Sequence, residues 1–342
     1  MPTLKNSITL LFAFTIYLQG FTSITLASEL NKTENSSPIK TDVVDLYNAT
    51  EQRPVKIDLW YTENTCTDKE CQKTSENTLN IAILSHGAMG SSKDYSWLAY
   101  PLAAQGWIVI GVNHFGESWR YGSENIDPTS VTRFWQRTED VSFTLDSLES
   151  ILPAKLVSTK TNIVVVGHSS GGYTAAALAG ITLDGKQMYN YCASKHAKED
   201  LGCSYGKSES PKQLESLTYK AKYGLDSRVA GIIMLDPAMG PASTKNSMNN
   251  VKLPTLIIGS ENNDFLPFEY HAKYYADNIP NAKLIALRDG EGHFVYINSC
   301  ENNYKARGVS LCQDRKGVNR GEVHQKLLGH IIAFLSNDKL FN

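Results

Sequence analysis

The sequence predicts an α/β fold: a mainly parallel central sheet with helices on both faces and inserted cap segments. Three observations carry this. From residue 79 onward, short apolar runs alternate with helical patterns, the rhythm of a parallel sheet covered on both sides. LNIAILS (79–85) is an apolar run of the kind expected for a strand buried on both faces, GIIMLD (231–236) and TLIIGS (255–260) are two more buried strands, and WIVIGV (107–112), NIVVVG (162–167) and KLIAL (283–287) are further strands. A chain of 342 residues with 42% hydrophobic and 20% charged residues has material for one large core.

The elements follow in order. DVVDLY (42–47) and PVKIDLWY (54–61) read as a hairpin around the turn-like NATEQR. A helix is expected at about 93–105, ending before Gly106. RTEDVSFTLDSLESIL (137–152) has Val141, Leu145, Leu148 and Leu152 on one stripe, and Pro153 stops it. YTAAALAGI follows the third buried strand, EYHAKYYADNI the fifth, and VHQKLLGHIIAFL (323–335) closes the chain. Two polar stretches, about 184–227 and 298–320, interrupt the alternation and read as insertions in a domain spanning 41–342.

The first residues read as an export signal. Lys5 precedes the short apolar run Ile8 to Leu18, and Thr25-Leu26-Ala27 offers small residues for cleavage. The run falls short of the roughly 20 residues that span a bilayer. Residues 1–27 are therefore expected to be removed, leaving a secreted or periplasmic chain with a disordered polar lead-in at 28–40. Six cysteines fall in three close pairs, Cys66 with Cys71, Cys192 with Cys203, and Cys300 with Cys312. In an oxidising compartment they read as local disulfides. A net charge of −2 with no basic run gives nucleic acid no footing.

The chemistry concentrates in three places. Gly167-His168-Ser169-Ser170-Gly171 matches G-x-S-x-G between a buried strand and a small-residue helix. That context makes Ser169 a nucleophile on a sharp turn, with the first amides of the helix aimed at its oxygen. Ser85-His86-Gly87-Ala88-Met89-Gly90 follows the first buried strand and offers a second amide for an oxyanion. The expected donors are the backbone N–H groups of Ala88 and Ser170, with His86 a structural hydrogen-bonder. Asp289-Gly290-Glu291-Gly292-His293-Phe294 follows the last strand, where a histidine can serve the serine as general base. The acid is Asp236, ending GIIMLD, or Asp264 after the next strand; both satisfy the order Ser, acid, His. The pattern G-E-x-D-x-x-x-P laid on Ser260 to Pro267 puts Asn263 on the acid's position and Asp264 one residue late, so Asp236 is preferred.

From residue 42 on, the chain resembles the α/β hydrolases, in the dienelactone-hydrolase-like and platelet-activating-factor acetylhydrolase-like branch. The resemblance rests on ILSHGAMGSSKDYSWLAYPLAAQGWIVIGVNHFGES, VVVGHSSGG, IIMLDPAMGP and RDGEGHF. In the acetylhydrolases the acid lies in an L-D-x-x-M context, which falls on Leu235-Asp236-Pro237-Ala238-Met239. Pancreatic-type lipases likewise place theirs in L-D-P-A. PTLIIGSENNDFLPFEYHAKYY resembles the bacterial cutinase-like polyester hydrolases, whose acid would fall on Asn263. Dienelactone hydrolases use cysteine where this chain has Ser169. The resemblance implies a serine esterase acting on a small-molecule or lipid-like ester, with no metal or organic cofactor and no membrane span. Its oligomeric state is left open. A polyester hydrolase or peptidase on the same triad is the alternative, and a non-catalytic binding protein the remaining one.

Overall fold

The computed structural model describes residues 38–62, 78–153, 160–205 and 224–337. The expected signal segment and the Cys66/Cys71 pair lie outside the described residues, as does the middle of the first insertion.

Eight strands form the central sheet: β1 (Ile39–Asn48), β2 (Arg53–Thr62), β3 (Leu79–Ser85), β4 (Ile108–Asn113), β5 (Thr161–His168), β6 (Val229–Leu235), β7 (Thr255–Ser260) and β8 (Lys283–Leu287). Their order is β1-β2-β4-β3-β5-β6-β7-β8, with β1 and β2 antiparallel at one edge and every pairing from β4 to β8 parallel. The hairpin strand starts at Ile39, two residues inside the stretch expected to be a disordered lead-in. Its register, with Asp42 opposite Leu59 and Tyr47 opposite Pro54, extends the pairing past the turn-bounded runs read from sequence.

Side-chain alternation divides the core into two layers. Ile81, Ile83, Ile163 and Val165 join the cluster under α2 (Phe134–Asp146) and α4 (Ser170–Leu178). Ala82, Leu84, Val164 and Val166 join the opposite cluster under α1 (Ser96–Ala104) and α8 (Arg320–Leu335). Each fully buried Ile or Leu contributes about 1.5–3 kcal/mol, so both faces of the central strands are held.

Two helices differ from expectation. The segment expected as one helix at 93–105 begins as a 3-10 turn, Ser92–Tyr95, and α1 starts at Ser96. Ser91 explains the entry: its hydroxyl accepts the Lys93 amide and its own amide is taken by Asp94, a capping box that tightens the first turn. The helix expected at 137–152 begins at Phe134 and breaks at Ser147, whose amide returns to the carbonyls of Phe143 and Thr144; α3 (Leu148–Ile151) is a separate turn.

The insertions sit where the site is. The described part of the first holds α5 (Gly185–Cys192) and the disulfide Cys192–Cys203. The second holds a small ribbon, β9 (Lys305–Ala306) with β10 (Val309–Ser310), and the disulfide Cys300–Cys312. Two short helices complete the parallel half, α6 (Lys245–Asn249) before β7 and α7 (Ala272–Asn278) after it. No helix among the described residues is long and apolar enough to cross a membrane.

Candidate active site

Ser169 stands between the end of β5 and the start of α4 with φ +55° and ψ −118°, a conformation non-glycine residues rarely adopt. The flanking glycines make the turn possible. A Cβ on Gly167 would lie 1.9 Å from the Gly171 carbonyl oxygen, and one on Gly171 would lie 1.9 Å from that of Ser85. Any side chain at either position would push strand and helix apart. The bend is also latched to β6: the Ser169 amide donates to the Leu235 carbonyl at 3.0 Å, and the Ala238 amide donates to the Ser169 carbonyl at 2.9 Å. Met89, Asp236 and Met239 share positive φ, so strained backbone gathers around this one edge of the sheet.

Ser169, Ser170, Ala88 and His293 all line one cavity of about 890 Å³ at the C-terminal ends of the parallel strands. The wall is largely apolar, with Val131, Phe134, Met188, Met239, Phe265 and Phe294. Cys300, Tyr304 and Leu311, from the stretch 298–320, also line the cavity. The serine expected as nucleophile, the histidine expected as base and both residues expected to supply oxyanion amides therefore meet.

The two candidate acids separate. Asp236 is 2% exposed; its Oδ1 accepts the Ser260 amide at 2.8 Å, and its Oδ2 stands 3.6 Å from Nδ1 of His293. Asp264 meets only the backbone of the histidine: its Oδ1 accepts the His293 amide at 2.9 Å while its Oδ2 pairs with Arg315 at 3.3 Å. Asn263, on the position where the acid was sought, turns its Oδ1 to the amides of Phe265 and Leu266, leaving Nδ2 3.3 Å from Nδ1 of His293. Burial pushes the Asp236 carboxyl well above the usual carboxylate range. Burial likewise holds His293 below the usual histidine range. Both shifts have one cause, the loss of water around a charge.

Sequence reasoning assigned His86 a structural role and left Tyr95 and Arg137 unnoticed. The three support the turn that carries Ala88. His86 pairs through Nδ1 with the Gly87 carbonyl at 2.7 Å and accepts the His114 amide on Nε2. Arg137, buried and paired with Glu117, donates to the His86 carbonyl at 2.8 Å. The Tyr95 hydroxyl accepts the Gly87 amide at 3.0 Å. No pattern announces such partners, since each is fixed by packing from a different element. His271, which nothing in the sequence singles out, also lines the cavity. Among the described residues no group of three or more His, Cys, Asp or Glu side chains is arranged to hold a metal ion.

Comparison with known proteins agrees with this architecture. A solved ferulic acid esterase from Streptomyces cinnamoneus superposes with a TM-score of 0.51 over 88% of this chain and 90% of its own, at 16% identity; that likeness concerns the fold. Chlorophyllase-1, chloroplastic, from Citrus unshiu and from Citrus sinensis each match at 30% identity over 105 residues, 30% of this chain. The matched stretch spans 30% of the length of these curated relatives. The family model for chlorophyllase matches residues 71–340, from the end of the hairpin region to the closing helix, elbow and histidine loop included. The chain belongs to the chlorophyllase family, a family of the α/β-hydrolase type.

Proposed function

We propose that this protein hydrolyses carboxylic esters through an acyl-enzyme on Ser169. The observation that carries the reading is the strained Ser169 turn opening on an apolar cavity that His293 also lines, with the Asp236 carboxylate behind the ring. Nε2 of His293 takes the Ser169 proton as Oγ attacks the ester carbonyl. The amides of Ala88 and Ser170 hold the oxyanion, and Asp236, in its ionised form, orients the imidazole and stabilises the cation. The protonated imidazole then gives its proton to the departing alkoxide, and water releases the acid by the same route.

The breadth and apolar wall of the cavity favour esters with a large apolar portion. The Citrus relatives are named chlorophyllases, so a chlorophyll ester belongs beside simple aryl esters in the substrate panel. The two disulfides and the apolar segment at Ile8 to Leu18 favour an exported protein cleaved near Ser28.

A fluorophosphonate reagent tests the nucleophile. Purified, folded protein should be labelled at Ser169, and Ser169→Ala should abolish labelling and lower turnover of p-nitrophenyl esters by a factor on the order of 10⁶. Folded wild-type protein that neither labels nor turns over any ester overturns the reading.

A further inference from the structure

Aromatic rings crowd the imidazole of His293. The Phe265 ring lies nearly parallel to it, with 13° between the planes and 5.1 Å between the centroids. His168 tilts against it with centroids 4.6 Å apart, and Phe294 meets it edge-on at 5.0 Å.

Phe265 is held in that place from two directions. Its amide donates to Oδ1 of Asn263 at 2.9 Å. Its carbonyl accepts the Leu201 amide at 2.9 Å, from the first insertion and between the bridged Cys192 and Cys203. Asp200, the residue before Leu201, pairs with His271 at 2.8 Å, which ties this stretch to the turn before α7. The Phe265 side chain is 4% exposed and packs with Ala238 and Leu266. The insertion thus braces the ring that lies against the base.

General-base chemistry asks His293 to become a cation where burial disfavours one. The Asp236 oxygen 3.6 Å from Nδ1 is farther than a hydrogen bond reaches, so the cation needs support from its other neighbours as well. An aromatic face is the negative end of the ring's quadrupole and attracts a cation within about 6 Å of its centroid, most strongly where water is excluded. A neutral imidazole gains far less from the same face. The attraction therefore grows as the proton moves, and it favours the transition state over the resting site. Resting on the esterase reading, we propose that the ring face of Phe265 stabilises the His293 imidazolium formed during acyl transfer. Phe265 acts through His293 and is a positioning residue.

The test replaces Phe265 with mono-, di- and trifluorinated phenylalanine, which keep the shape of the ring while draining negative charge from its face. For one p-nitrophenyl ester, kcat should fall in even logarithmic steps along the series, by about three- to thirtyfold in all, with KM little changed. Phe265→Leu, which has no ring face, should lose at least as much. Thermal melts and fluorophosphonate labelling at Ser169 report that each variant is folded with a competent site. A kcat that stays level across the folded fluorinated series overturns the inference, even where Phe265→Leu is slow, because packing then accounts for the whole effect. A folded wild type that neither labels nor turns over any ester fails the esterase reading instead.

Discussion

Nε2 of His168 lies 3.0 Å from the carbonyl oxygen of His293, so the residue before the candidate nucleophile holds the backbone of the candidate base. A carbonyl only accepts, which places the His168 proton on Nε2 and leaves Nδ1 an acceptor. Nδ1 therefore takes the Tyr95 hydroxyl proton at 2.9 Å, and the Tyr95 oxygen keeps a lone pair for the Gly87 amide at 3.0 Å. Burial holds His168 well below the usual histidine range, which preserves the neutral ring that this arrangement needs. One run of hydrogen bonds thus links the Ala88 turn, the serine elbow and the histidine loop.

Tyr95→Phe should test this run. The change keeps the ring but leaves the Gly87 amide and His168 Nδ1 without their partner, at a cost of about 1–3 kcal/mol. A drop in Tm of several degrees follows. Loosening both the oxyanion turn and the histidine loop should lower ester kcat by about 10- to 100-fold, since a small misplacement of reacting groups is expensive, with KM little changed. Stopped assays and thermal melts on the same preparation measure both. Unaltered kcat would mean that the run is only structural.

The acid should be identified by three substitutions. Asp236→Asn removes the carboxylate 3.6 Å from Nδ1 of His293 and should lower kcat by about 10⁴-fold, because an amide favours the wrong tautomer. Asp264→Asn keeps an oxygen for the His293 amide and gives up the pair with the half-exposed Arg315; the loss should stay within about tenfold. Asn263→Asp in the Asp236→Asn background should recover at least part of the activity, because its side chain already reaches 3.3 Å from Nδ1 and the amides of Phe265 and Leu266 can hold one carboxylate oxygen. A larger loss at Asp264 than at Asp236 would reverse the assignment.

What could be read beforehand was local, and what could not was assembled from distance. The elbow is contiguous, so strand, turn glycines and helix announced themselves together. The bounds of β3, β7 and β8 were legible to the residue, and for β3 and β7 the reason is that an apolar run bounded by polar or glycine residues has one packing solution in a covered sheet. The Asp200–His271 pair, 71 residues apart and on separate elements, carries no signature in the chain. Nor does side-chain geometry alone mark a catalytic group. Ser85, His114 and Asp140 form a Ser-His-Asp series with both contacts at 2.9 Å, tighter than that around His293. Yet all three are buried, Arg53 grips both oxygens of Asp140, and none lines the cavity. Chemistry needs the strained turn and the opening as well as the partners, and those are backbone properties that the glycine spacing encodes.

The buried histidines set the response to acid. His86, His114, His168, His293 and His324 are all held below the ordinary value of 6.5, burial being the largest cause for each. These rings are neutral in the native state where they would be charged in the unfolded chain. Below about pH 6.5 the unfolded state therefore binds the extra protons, and stability falls with pH. Asp94 and Asp140, pushed up by burial to about 6, and Asp236, pushed up to about 8, act in the opposite sense, since they take protons in the native state first. The imidazoles outnumber these carboxyls, so near pH 5 a net excess of about two protons on the unfolded chain should remove about 3 kcal/mol per pH unit. Thermal melts at pH 7, 6 and 5 should show Tm falling at each step and more steeply at the second. A Tm that holds or rises on acidification would mean that these rings are protonated in the native state and that water reaches them.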